Sequence, residues 1–285
     1  ALVKVEVEGA GAGAITTIDE AIAADSKLAG AALVSEGDKA AVEAALKSSE
    51  QVIKGSSYII GQHAFPMEKQ SACAIPEERS GMTLYSSTQA PDFCRAVVAG
   101  ILGLHGKGSL LTVKCTRAGG AFGPKNSRNV PVAGAAAVAA HKLDFPVKVA
   151  LDACQEHAAV GGRHSFKFDY EVGFKKDGTI QACKVEAWGN GGCTHDFSGF
   201  LFGEYAEAVA SVYGWGGHFR IDVHGMRTNL PSNSAVRSFG NPQGYFTTET
   251  IIEHIASTLG KPAEEIRERN MLTKANAMTP EKQEM

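Results

Sequence analysis

Residues 119–126 read Gly-Gly-Ala-Phe-Gly-Pro-Lys-Asn. An apolar run with strand character, Leu110 to Cys115, leads into this stretch, and Ala-rich helical spacing follows from about Val130 to Leu143. Strand, glycine loop and helix in that order aim backbone N–H groups at one point, which suits an anion. A lone glycine loop occurs in many folds, so the flanking sequence must decide what this one means.

Working outward, Val147 to Leu151 reads as a strand, and Phe166–Phe174 and Thr179–Trp188 flank Lys176-Asp177-Gly178. Asp-Gly between two strand runs is a strong hairpin signal. Phe219 to Met226 is strand-like, and Gly244 to Leu259 carries a helical apolar stripe that Gly260 ends. Pro262 then starts a short helix with Glu264 and Glu265 in its first turn. Toward the N-terminus, Leu2–Glu8 alternates as a half-buried strand, a short helix runs from Thr17 to Ala24, and residues 37–50 have helical spacing. Tyr58–Ile60 and Met82–Ser86 read as strands, and Asp92–Leu102 as a helix closed by Gly103. The tail after Lys274 is polar and expected to fray. The fold class is α+β, with mixed sheets and packed helices.

The chain of 285 residues is 44% hydrophobic and 21% charged, with net charge −3. These values suit a globular protein with a sizeable core. No Lys/Arg block points to nucleic acid, and no run of about 18 apolar residues suggests a membrane span. The six cysteines, at 73, 94, 115, 154, 183 and 193, include no C-x-x-C pair, so no metal site is expected and buried free thiols are the default. Disulfides stay open should the protein be exported.

Several segments resemble one family in one order: the xanthine dehydrogenase/aldehyde oxidase family. Gly61-Gln62-His63-Ala64-Phe65-Pro66-Met67-Glu68 resembles its G-Q-x-H-F-x-x-E segment, and Ser87-Thr88-Gln89 its S-T-Q segment. Gly119 to Lys125 resembles its G-G-x-F-G-G-K-E loop, and Val236 to Gln243 its F-R-G-F-G-G-P-Q. The resemblance implies the first molybdenum-cofactor-binding domain, with residues 51–274 as that domain, 1–50 as a remnant of the preceding small domain and linker, and 275–285 as a tail. It implies cofactor contacts at Gln89, Gly120, Phe122 and Arg237. It also implies a ligand or substrate pocket at Asn126, Phe197, Phe200, Phe202, Glu204 and Phe239, and a soluble, cytoplasmic setting. Amide and backbone donors stabilise developing oxygen charge, and aromatic faces hold flat rings.

The family loop ends in an acid where this chain has Asn126, a neutral amide. Pro124 stands in place of a glycine and lacks an N–H. Counting from Asn190 puts Glu204 where xanthine-oxidising members carry an arginine. The family's catalytic glutamate belongs to a second cofactor domain beyond Met285, so no catalytic residue is assigned here. A missing general base costs about 10²–10⁴ in rate. No iron–sulfur or flavin segment is recognisable.

These departures favour a non-catalytic homologue: a ligand-binding or structural subunit holding an apolar or planar small molecule, such as a carotenoid-like pigment, against a second homologous or complementary chain. The other reading is one subunit of a split molybdenum-pterin hydroxylase whose partner supplies the glutamate. Lys125 is open between anion ligand and solvated loop lysine. His63, His164 and His195 suit structural or surface roles. Phe197, Phe200, Phe202 and Tyr205 form an aromatic patch open between core and ligand surface, and Trp188 and Trp215 default to core.

Overall fold

The structure is a computed structural model that describes residues 13–30, 33–104 and 110–272. The expected strand at Leu2–Glu8 and the tail after Lys274 lie outside the described residues. Among the described residues, nine strands form two mixed sheets.

The larger sheet has the order β1-β9-β8-β7-β2, built from β1 (Leu33–Glu36), β2 (Gln51–Ile59), β7 (Phe166–Phe174), β8 (Ile180–Gly192) and β9 (Phe219–Arg227). β8 and β9 run parallel, and the other neighbours are antiparallel. Strand β7 alternates as its sequence requires: Phe166, Phe168, Tyr170, Val172 and Phe174 are buried while Lys167, Asp169 and Glu171 face outward. The hairpin from β7 to β8 turns at Asp177-Gly178, where Gly178 takes φ +96°.

Three helices cover the inner face: α6 (Ser198–Ala210), α7 (Asn241–Leu259) and α8 (Ala263–Asn270). Their buried side chains join those of the sheet in the main core, which includes Trp215. Trp215 donates its indole N–H to the Val209 carbonyl over 3.0 Å. On the outer face lie α1 (Ile18–Ala23), whose Thr17 and Glu20 form a capping box, and α2 (Lys39–Ser48), which buries Val42 and Leu46.

The smaller sheet has the order β5-β4-β3-β6: β5 (Leu111–Lys114), β4 (Gly81–Ser86), β3 (Ser71–Glu77) and β6 (Val147–Ala150). Two helices, α3 (Pro91–Ile101) and α4 (Val130–Leu143), pack on one face. The alanines of α4 let it sit close to that sheet, where Ala133, Ala136, Ala137 and Ala140 are fully buried. A short helix, α5 (Ala153–Ala159), follows β6 under a second capping box made by Asp152 and Gln155.

Sequence boundaries moved where end effects decide. Helix α7 starts at Asn241 rather than Gly244 because Pro242 fits the first turn, where its missing N–H costs nothing. Strand β2 extends back from Tyr58 to Gln51 because it pairs with β7 along its full length. Strand β8 runs on past Trp188 to Gly192 with a register shift between Asn190 and Gly192. None of the described helices is long and apolar enough to cross a membrane.

Candidate functional site

The glycine loop connects β5 to α4 and is held by contacts at both ends. Gly119, Gly120, Phe122 and Gly123 all have positive φ, from +51° at Phe122 to +114° at Gly123. Glycine is required at 123, where a Cβ would stand 2.0 Å from the Ala235 carbonyl oxygen. Pro124 is buried and opens a 3-10 turn through Asn126. It therefore carries none of the loop's left-handed angles and fits its place. The expected damage to the cradle reduces to one absent N–H.

Lys125 is fully buried rather than solvated or facing a ligand. Its Nζ donates to the carbonyl of Glu68 over 2.8 Å and also to that of Ala118. Burial lowers its pKa, while Glu156 and Glu68 oppose that shift. The lysine pins the loop to the segment before β3.

Gln89 lies between β4 and α3, and its Oε1 accepts the Gly123 N–H over 2.8 Å. Its own N–H donates to the Lys125 carbonyl over 2.9 Å. From the other side, the Arg237 N–H donates to the Phe122 carbonyl over 2.8 Å. Buried Arg163 supports that strand of chain by donating to the carbonyls of Val236 (3.2 Å) and Arg237 (2.9 Å) and to Gln62 Oε1 (3.0 Å). Gln89, Gly120, Phe122 and Arg237 thus share one exposed surface, with Phe122 44% exposed. Among the described residues, no protein acceptor meets the N–H groups of Gly120, Ala121 and Phe122. Consecutive unpaired donors in a turn of this kind suit an anion.

The aromatic patch divides. Phe202 is fully buried, edge-on to Phe166 and to His164, so the structure places it in the core and not in a pocket. Phe200 is 61% exposed and meets the half-buried Phe239 with ring centroids 5.6 Å apart. Phe197 is 38% exposed at the start of α6. Glu204 sits one turn beyond Phe200, half-buried beside Gly240, where a Cβ would come within 2.8 Å of the Glu204 Cβ. Burial, then Glu207, raises its pKa.

Asp196 joins the two groups and was missed in the sequence. Its buried carboxylate accepts from Ser127 Oγ (2.7 Å), Ser234 Oγ (2.7 Å) and the Phe197 N–H (2.9 Å), and pairs with Arg128 (2.7 Å). Asn126, half-buried, is next to Ser127, so this node sets the Asn126 turn against Phe197. No local motif marks such a residue, because apart from the Phe197 N–H its partners come from two distant segments, Ser127-Arg128 and Ser234.

The family model described as molybdopterin cofactor-binding domain matches residues 25–271. The chain belongs to this family. It is 37% identical to the xanthine dehydrogenase/oxidase of Rattus norvegicus over 265 residues, covering 90% of this chain and 19% of the rat protein. It is 38% identical over 229 residues to probable aldehyde oxidase 2 of Oryza sativa subsp. japonica, covering 80% of this chain and 17% of that protein. The chain therefore spans about a fifth of the length of these curated relatives.

Among solved structures, the aldehyde oxidoreductase from Desulfovibrio gigas matches with TM-score 0.82 at 23% identity, over 95% of this chain and 30% of that one. The reconstituted CO dehydrogenase from Oligotropha carboxidovorans matches with TM-score 0.77 at 24% identity, over 88% and 32%. These likenesses establish the fold. The chain is a molybdenum-hydroxylase-family domain of the xanthine/aldehyde oxidoreductase type.

Proposed function

We propose that this domain supplies one wall of a molybdopterin site in a molybdenum hydroxylase, the rest of the site coming from residues outside this chain. The observation that carries the reading is the loop itself. Gln89 holds Gly123, and the N–H groups of Gly120, Ala121 and Phe122 have no protein acceptor among the described residues. Open donors in a fixed turn fit an anionic, oxygen-rich group. Gln89, Gly120, Phe122 and Arg237 would hold the cofactor, which when bound supplies two-electron redox chemistry. Phe200 and Phe239 would orient a flat substrate.

A second reading is favoured by Asn126 and Glu204: a non-catalytic domain that binds a planar or apolar ligand. A neutral amide and a half-buried carboxyl with raised pKa replace the charges that the family resemblance implies. A second chain, homologous or complementary, belongs to both readings. The natively isolated protein separates them. Stoichiometric molybdenum with an extractable pterin is expected. An extractable organic chromophore without molybdenum would establish the second reading instead.

A further inference from the structure

The smaller sheet has a second chemical face. One face sends Ala72, Ala74, Met82, Leu84 and Leu111 into the core beneath α3 and α4. Strand side chains alternate, so Cys73, Tyr85, Lys114 and Lys148 take the other face. The register sets them in one cross-strand row: Lys148 opposite Cys73, Cys73 opposite Tyr85, Tyr85 opposite Lys114.

Three strand spacings separate the lysines by ~14 Å, a span their long side chains reduce by leaning inward. Lys114 does lean inward: its Nζ stands 5.7 Å from the centre of the Tyr85 ring. Arg117, just after β5, closes one end beside Thr116. Together these residues line a concavity of about 150 Å³ that holds three cations and no carboxylate. Among the described residues, none of Lys114, Arg117 and Lys148 enters an ion pair.

Uncompensated like charges gathered around one groove repel each other, and an anion relieves that repulsion. The volume is well below the roughly 300–1,000 Å³ of pockets for whole drug-sized ligands, so it suits one compact anionic group. An arginine fork, two ammonium groups and a hydroxyl match the several oxygens and multiple charge of a phosphoryl group better than a single carboxylate. The geometry points to a site for a small phosphate-bearing anion, of phosphate or pyrophosphate size, held by Lys114, Arg117 and Lys148 on the outer face of the smaller sheet. It adjoins the glycine loop, since Arg117 stands two residues before Gly119, but it uses none of the groups proposed to hold the cofactor.

Calorimetric titration of the full chain with inorganic phosphate and pyrophosphate at low ionic strength tests the site. Saturable binding is expected, with pyrophosphate the tighter of the two. The Lys114→Ala/Lys148→Ala variant should weaken it by at least about tenfold. Lys142→Ala, an exposed lysine on α4, should leave it unchanged. Both lysines of the row are exposed, so an unaltered melting temperature is expected for the double variant. Cys73 gives a second readout. Pyrophosphate should slow its alkylation by neutral iodoacetamide, followed by peptide mass spectrometry, and leave exposed Cys193 unaffected. Absence of saturable binding, equal affinity in the double variant, or no protection of Cys73 would overturn the proposal.

Discussion

The backbone N–H of Arg237 donates to the carbonyl of Phe122 over 2.8 Å, so the approach to α7 and the glycine loop form one surface. Arg163, buried behind them, donates to the Val236 and Arg237 carbonyls and fixes that approach. The loop is consequently held from Gln89 on one side and from residues 235–237 on the other.

Gly123→Ala should break that arrangement. The new methyl would stand 2.0 Å from a backbone oxygen at a φ of +114°, and neither backbone has room to give. A loss of ~1–3 kcal/mol is expected, read as a lower urea midpoint. Gly217→Ala is the control. It has φ +76° but nothing within 4 Å of the added carbon, so only about 1 kcal/mol of backbone strain is expected. Equal midpoints for the two variants would contradict the account.

Phe202 and Phe200 lie two residues apart on α6 and should behave oppositely. Phe202→Ala removes a fully buried ring from against Phe166 and His164 and should cost ~3–5 kcal/mol. Phe200→Ala removes a ring that is 61% exposed and should stay within ~0.5 kcal/mol, while weakening binding of flat ligands beside Phe239. Thermal melts and ligand titrations of both variants check this. A large stability loss in Phe200→Ala would place that ring in the core.

His164 gives stability an acid limb. It is fully buried, with Nε2 2.8 Å from Ser198 Oγ, and burial, assisted by the charge of Arg163, lowers its pKa to about 3. The folded chain keeps the ring neutral where the unfolded chain would protonate it below its ordinary value of 6.5. Its contribution is therefore complete above pH 6.5 and falls with pH through the folded value near 3. Between pH 6.5 and 5 the loss should approach ~2 kcal/mol. His164→Gln should flatten this part of the urea-midpoint profile relative to the parent. Parallel profiles would show that His164 does not titrate in this way.

Much of the fold was legible because local rules and tertiary packing agree. Helix α4 spans Val130–Leu143 as its alanine spacing predicts, and the Asp177-Gly178 turn joins two strands whose alternation is plain. Four elements were not legible, the first being the short edge strand β1, which forms by pairing with β9. Strand β3 contains Pro76 and small residues, and becomes a strand because β4 and β6 pair on either side of it. Helix α6 opens on Phe197-Ser198-Gly199-Phe200, a poor helical sequence that tertiary burial of Leu201, Phe202 and Tyr205 overrides. Helix α5 is only seven residues long and rests on its capping box.

The site was legible only in part. Family motifs picked out Gln89, Gly120, Phe122 and Arg237, which the fold brings to one surface; their role toward a cofactor is the proposal made above. The aromatic patch gave no means to separate buried Phe202 from exposed Phe200, because flanking Phe and Gly residues obscure the helical period. Lys125 read as a loop-end cation, yet its partners are the carbonyls of Glu68 and Ala118. Only the folded backbone brings those oxygens to it.

A loop that remains a working cofactor cradle should carry molybdenum. The most direct test is the molybdenum content of the natively isolated protein by inductively coupled plasma mass spectrometry, with Gln89→Ala measured alongside. Stoichiometric molybdenum is expected in the parent and a marked loss in the variant, whose Gly123 N–H has lost its acceptor. Molybdenum absent from the parent, or retained in full by Gln89→Ala, would contradict it.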